Sequence, residues 1–204
     1  FAYAYADLQT PPPISGVCAT EWAPSCRIVI NYEQHIHPLW SVNREIIDPE
    51  TMEVLDTTCT SCHTNTDAAD AQQVPAGQLD LGDGPSPDEP LHFNAYRELL
   101  FPDNEQELVN GALVDVLVDS GEVLEDEEGN PILDAEGNVQ PIMVTVPVQA
   151  SMSVNGARAS DFFDVFAEGG THRDFLTPAE LRLIAEWLDI GGQYFNNPFD
   201  APED

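Results

Sequence analysis

The chain has 204 residues, 42% of them hydrophobic, with 6 Lys or Arg against 37 Asp or Glu and a formal net charge of −31. That is one domain's length with enough apolar residues to bury a core, which excludes wholesale disorder. The charge repels phosphate backbones and anionic lipid, excluding nucleic-acid binding and basic membrane anchoring, and no apolar run reaches the ~20 residues of a membrane span.

Phe1 to Pro13, ending in three consecutive prolines, reads as an extended linker because such runs favour polyproline II. A linker ahead of a domain spanning 14–204 is expected to belong to a monomeric module of a larger polypeptide. Cys18 and Cys26 follow. Asn31 caps a helix whose Tyr32, Ile36, Leu39 and Trp40 recur at i, i+4, i+7 and i+8, with Pro38 kinking or ending it. Residues 41–58 connect to Cys59-Thr60-Ser61-Cys62-His63, and 64–90 read as loop.

Phe93, Tyr96, Leu99 and Leu100 mark a short helix before Pro102, and Asn104 with Glu107 caps another. Leu113–Val118 and Ile142–Val146 are β-branched and alternating, hence strands. Between them two similar pieces, Glu128-Gly129-Asn130 and Glu136-Gly137-Asn138, carry turn-forming pairs. Residues 112–148 are therefore expected as an acidic β-hairpin inserted in an otherwise helical, mainly α domain with long loops. Ser160 caps a helix with Phe162, Phe163 and Phe166 that Gly169-Gly170 ends. The last helix has Thr177 at N-cap, Pro178 at N1 and Glu180 at N3, a capping box. Its stripe is Leu181, Ile184, Ala185 and Leu188, widened by Trp187, and Gly191-Gly192 stops it.

Cys59-Thr60-Ser61-Cys62-His63 is C-x-x-C-H, the attachment sequence of c-type haem. Two thiols three positions apart reach the two vinyl groups of one porphyrin edge, and the following His places an imidazole nitrogen on the iron. A thioredoxin-like pair does not require the His, and a zinc site needs a second ligand pair that Cys18 and Cys26 supply poorly. One motif implies one covalent haem c. Attachment occurs on the oxidising side of a membrane, so the protein is expected to be periplasmic or extracellular. There Cys18 and Cys26 are expected to form a short-loop disulfide, two free buried thiols being the alternative.

A helix before C-x-x-C-H, a long loop and a terminal amphipathic helix with a Trp resemble a class I cytochrome c. The segments Ile30–Trp40 and Asn155–Ser160 are also similar to monohaem cytochrome modules of secreted proteins of marine gammaproteobacteria, some linked to carbohydrate-binding modules, and to proteins related to the hydrazine synthase alpha subunit. The likeness covers roughly 28–63 and 150–199. It implies electron transfer, with a copper lytic polysaccharide monooxygenase as one redox partner of this kind of module.

His63 leaves the opposite face of the iron to be filled. Met152 is the expected ligand: it lies between the haem motif and the last helix, in a small-residue loop, at the matching place in the resembled family. His172 and an open site are the alternatives. Met143 reads as a packing residue, and Met52 lies on the wrong side of the motif in chain order. His35, His37 and His92 read as structural, and so does His172 unless it fills that site. Trp40 is expected to pack against the haem. Arg158, with Arg97 behind it, is the expected propionate partner, because a guanidinium offers a bidentate fork and only 6 basic residues exist.

The acidic loops (Asp80, Asp83 and Asp88; Asp126, Glu127, Glu128, Asp134 and Glu136) could hold Ca²⁺, but none has the EF-hand register, and a solvated surface is the preferred reading. The function expected is one-electron transfer by a non-enzymatic, His/Met-ligated haem protein. The alternative is a haem catalyst or small-ligand sensor with an open distal site.

Overall fold

In the computed structural model, which describes residues 5–47 and 51–197, proline and glycine set the lengths of most elements. The stretch expected as a linker lies against the domain from Tyr5 onward. Tyr5 opens a 3₁₀ turn over Tyr5–Asp7 and donates its hydroxyl to Glu186 Oε2 at 3.1 Å, and Thr10 and Pro13 are buried. Phe1 to Ala4 of that stretch, 48–50 of the connection before the C-x-x-C-H motif, and 198–204 of the domain's end lie outside the described residues. Ser15 caps α1 (Gly16–Thr20), and Cys18 and Cys26 form the expected disulfide.

Asn31 caps through Oδ1, which accepts from the Gln34 N–H at 3.2 Å. Its own N–H donates to His35 Nδ1 at 3.0 Å. The turn that follows is wide, a π turn over Tyr32–Ile36, and passes into a tight 3₁₀ turn over His37–Leu39. Pro38 lacks the N–H that would continue a regular α-helix. Tyr32, Ile36, Leu39 and Trp40 are all fully buried, as their spacing requires. Residues 41–58 contain an antiparallel pair, β1 (Glu45–Ile47) and β2 (Val54–Asp56), that leads into the single turn α2 (Cys59–Cys62).

The helix α3 (Asn94–Leu100) ends ahead of Pro102 as expected. The segment read as a second capped helix is extended instead. Asp103–Asn104 form β3, Gln106–Val109 form β4, and β4 turns through Asn110-Gly111 into β5 (Ala112–Asp115). Asn110 and Gly111 have φ of 53° and 83°, the paired left-handed geometry of a two-residue hairpin turn. Beyond it β6 (Leu117–Val123) pairs with β7 (Pro141–Thr145), and β8 (Pro147–Val148) returns to β3.

At the tip two turns repeat the same device. Asp126 Oδ1 accepts the N–H groups of Glu128 and Asn130 at 3.0 and 2.8 Å, and Asp134 Oδ1 accepts those of Glu136 and Asn138 at the same distances. These bonds hold both carboxyls below the ordinary carboxylate range, the Asn partner contributing most. Asp126 and Asp134 thus engage the backbone and the Asn side chain of their own turns, and among the described residues no group of three or more His, Cys, Asp or Glu is gathered as for a metal ion.

Ser160 starts a 3₁₀ helix over Asp161–Phe166. The closing helix α4 (Pro178–Asp189) has the full capping box: Glu180 N–H donates to Thr177 Oγ1 at 3.2 Å, and Thr177 N–H to Glu180 Oε2 at 2.8 Å. Its buried face is Ala179, Leu183, Ile184, Trp187 and Leu188, with Leu181 only half-buried. Tyr32 is the centre of the core: Tyr96, Trp187 and Tyr194 stand with ring centroids 5.1, 5.4 and 5.5 Å away. Each buried aromatic contributes roughly 1.5–3 kcal/mol by leaving water.

The expected mainly α, class I cytochrome c-like fold is corrected by this architecture. Among the described residues 26% are helical and 20% strand, the strands lying in several small antiparallel sheets. The first expected helix is a π turn followed by a 3₁₀ turn, the one after Ser160 is 3₁₀, the one expected at Asn104 and Glu107 is strand, and α4 is the longest helix among the described residues. The inserted element is also larger than the single hairpin expected over 112–148, because it begins at Asp103 and contains three strand pairs. All of β6 is exposed. Replacing 119–141 by a short turn should therefore move the thermal midpoint by no more than a few degrees, and loss of cooperative unfolding in that variant would show that the ribbon is part of the core.

Candidate cofactor site

The C-x-x-C-H turn is fixed from both sides. Thr60 N–H donates to Trp40 O at 3.2 Å, and Leu81 N–H donates to His63 O at 2.8 Å, so the turn sits between the first helical segment and the loop after it. Asp56 at the end of β2 accepts from Thr58 N–H at 2.9 Å and from Ser61 Oγ at 2.5 Å. These bonds, Ser61's first, hold its carboxyl below the ordinary range and favour the helical turn's N-terminus.

Cys59, Cys62 and His63 line one pocket of about 390 Å³, within the range of roughly 300–1,000 Å³ for small-molecule and cofactor sites. Its walls are apolar: Trp40, Leu79, Leu81, Phe162, Phe166 and Phe175. Trp40 is buried, with Nε1 donating to Tyr32 Oη at 3.3 Å, so one edge belongs to the core while the residue also borders the pocket. Neither Cys59 nor Cys62 is in a disulfide. Burial pushes the Cys59 thiol above its ordinary value. Burial, and after it the like charge of His172, pulls His63 below the ordinary imidazole range, with the Ala76 and Leu79 backbone opposing more weakly. A neutral imidazole is the form that binds a metal. His63 Nδ1 is buried with no hydrogen-bond partner.

These residues fit a c-type haem. Both thiols and the imidazole border one cavity, its walls are aromatic and aliphatic, and Gly77 on the wall has φ +63° with open space where a side chain would stand.

The other expected site residues are distributed as follows. Ala150 and Ser151 line the pocket, but Met152 is packed in the core, 4% exposed, with its N–H donating to Leu99 O at 2.7 Å. Met143 lies 47% exposed on β7, and Met52 is exposed. Arg158 is exposed on the turn Ala157–Ala159 and does not line the pocket. Arg97 stacks over Phe101 at 4.1 Å, facing Asp88. His35, His37 and His92 do not line the pocket: His35 closes its own turn, His37 Nε2 meets Gly82 O at 3.2 Å, and His92 stacks on Tyr194 at 4.3 Å.

His172 does line the pocket, together with Phe162, Phe166 and Phe175. A histidine just after a Gly-Gly turn and downstream of the C-x-x-C-H motif is the signal that singles it out. Comparison of the chain with protein-family models, curated proteins and solved structures returned no match.

Proposed function

We propose that this protein carries one covalent haem c and transfers single electrons in the periplasmic or extracellular space. The observation that carries the reading is the convergence of Cys59, Cys62 and His63 on one aromatic-walled pocket. When bound, the haem supplies a one-electron iron couple. Cys59 and Cys62 would tether it, His63 would supply an imidazole nitrogen to the iron, and Trp40, Phe162, Phe166 and Phe175 would exclude water from the macrocycle. The Cys18–Cys26 disulfide supports an oxidising compartment.

The test is expression alongside haem-attachment machinery. Wild-type protein should keep its haem through a denaturing gel, and the Cys59→Ala/Cys62→Ala protein should lose it. Retention of haem in that double variant would refute covalent attachment through this motif.

A net charge of −31 directs the module to cationic donors and acceptors. The resemblance in the first and last thirds of the chain extends this to a secreted redox enzyme, such as a copper polysaccharide monooxygenase. Oxidation by a small cationic complex should slow by on the order of tenfold between low and high salt, whereas oxidation by an anionic complex should accelerate. Stopped-flow traces with the two oxidants check this, and matching salt responses would remove electrostatic steering from the account.

A further inference from the structure

We infer that His172, rather than Met152, is the second axial ligand of the haem, an inference that rests on the covalent attachment proposed above. The imidazoles of His63 and His172 border the same pocket with ring centroids 5.9 Å apart. Two imidazoles on opposite sides of one metal, each nitrogen about 2 Å from it, place their centroids ~6 Å apart. His172 Nδ1 is engaged by Thr171 Oγ1 at 2.8 Å, which leaves Nε2 for the metal. Ligating histidines hold their other ring nitrogen in this way.

The delivery of His172 is built into the backbone. His172 N–H donates to Val165 O at 2.8 Å, folding the chain back onto the 3₁₀ helix. That return passes through Gly170, where a Cβ would stand 2.3 Å from Val165 O and 2.7 Å from Asp164 O. Only glycine fits so close an approach. Phe166 and Phe175 then flank the imidazole, with centroids 5.8 and 5.1 Å from it. Met152, by contrast, is committed to the core.

The experiment compares electronic and EPR spectra of the haem-loaded wild type, His172→Ala and Met152→Leu, a volume-conserving change in the core. Wild type should be low-spin without a methionine-to-iron charge-transfer band. His172→Ala should lose the low-spin signal, bind carbon monoxide when reduced, and recover the wild-type spectrum on adding imidazole. Met152→Leu should leave the spectrum unchanged. Gly170→Ala should partly reproduce His172→Ala through displacement of the turn.

A low-spin His172→Ala protein, or a charge-transfer band abolished in Met152→Leu, overturns the assignment while leaving covalent attachment intact. A wild-type protein without gel-stable haem overturns both readings.

Discussion

Glu180→Ala should lower the melting temperature by on the order of 10 °C. Glu180 is 1% exposed, and its Oε1 accepts from Arg44 Nη2 at 2.7 Å while Oε2 completes the cap of α4. Arg44 is nearly as buried, and its Nη1 donates to Val42 O at 3.1 Å. Removing one member of a buried pair leaves an uncompensated charge, at a cost of about 3–5 kcal/mol. For a chain of this size each kcal/mol moves the midpoint by ~2–4 °C.

The consequence reaches the site. Arg44 N–H donates to Thr58 Oγ1 at 3.1 Å, and Arg44 O accepts from Thr57 N–H at 2.8 Å, so the pair ties the residues just before Cys59 to the closing helix. Glu180→Gln keeps a capping side chain and separates the cap from the charge. The double variant Arg44→Met/Glu180→Gln should recover much of the loss, since an apolar replacement leaves no charge stranded. Thermal unfolding followed by circular dichroism reads all three. A wild-type midpoint in Glu180→Ala would mean the pair does not hold these segments together.

Stability should also fall as pH rises from about 4.5 to 7, in part through one carboxyl. Burial raises Glu98 from the ordinary 4.5 to about 7, against the opposing hydrogen bond from the Asp80 backbone. Its Oε1 accepts from Asn94 Nδ2 at 2.6 Å, and the negative charges of Asp80 and Asp103 push its pKa further upward. The folded state therefore holds a proton that the unfolded chain has released above its ordinary value. This contribution is complete below about pH 4.5, declines as pH rises, and is exhausted above about 7. A tenfold difference in proton affinity between the folded and unfolded chain corresponds to about 1.4 kcal/mol. Discounted for partial exposure, the contribution of Glu98 is about 1–3 kcal/mol.

Glu98→Gln keeps an oxygen for the Asp80 N–H, and Asn94 can turn its amide to meet the new NH₂ group. The variant should show a smaller loss of urea stability between pH 5 and pH 8 than wild type. If the two proteins lose stability equally over that interval, Glu98 does not titrate in it.

What could be read from the residues depended on how local the signal was. The capping box at Thr177 and Glu180, the cap at Asn31 and the buried face Tyr32, Ile36, Leu39 and Trp40 each follow from side chains within one or two turns. The cysteine motif was equally local. The three-residue strands Glu45–Ile47 and Val54–Asp56 carry too little alternation to be recognised alone, because each is extended mainly through its partner.

Asn104 and Glu107 matched a helix start but belong to strands. The overlooked competitor was Asn110-Gly111, which sets the β4–β5 register from Val109↔Ala112 outward. The site divided in the same way. Cys59, Cys62, His63 and Trp40 were visible in sequence, whereas the placement of His172 depends on the tight return at Gly170, which one-dimensional spacing does not express.

The two acidic turns at the tip of the ribbon have a consequence for growth in length. Asp126 to Asn130 and Asp134 to Asn138 are copies at an eight-residue offset, each closed by its own aspartate and a glycine with φ of 83° or 85°. Such a unit carries its folding instructions internally, and the chain enters and leaves the domain side by side at Asp103 and Val148. A tandem duplication of eight residues would therefore add one more turn at the far end without shifting the register at the base. The added loop entropy rises only logarithmically, ~0.6 kcal/mol per doubling. Length variants among natural descendants of this gene should differ by multiples of that unit, and recombinant chains with an added copy should fold around the same pocket.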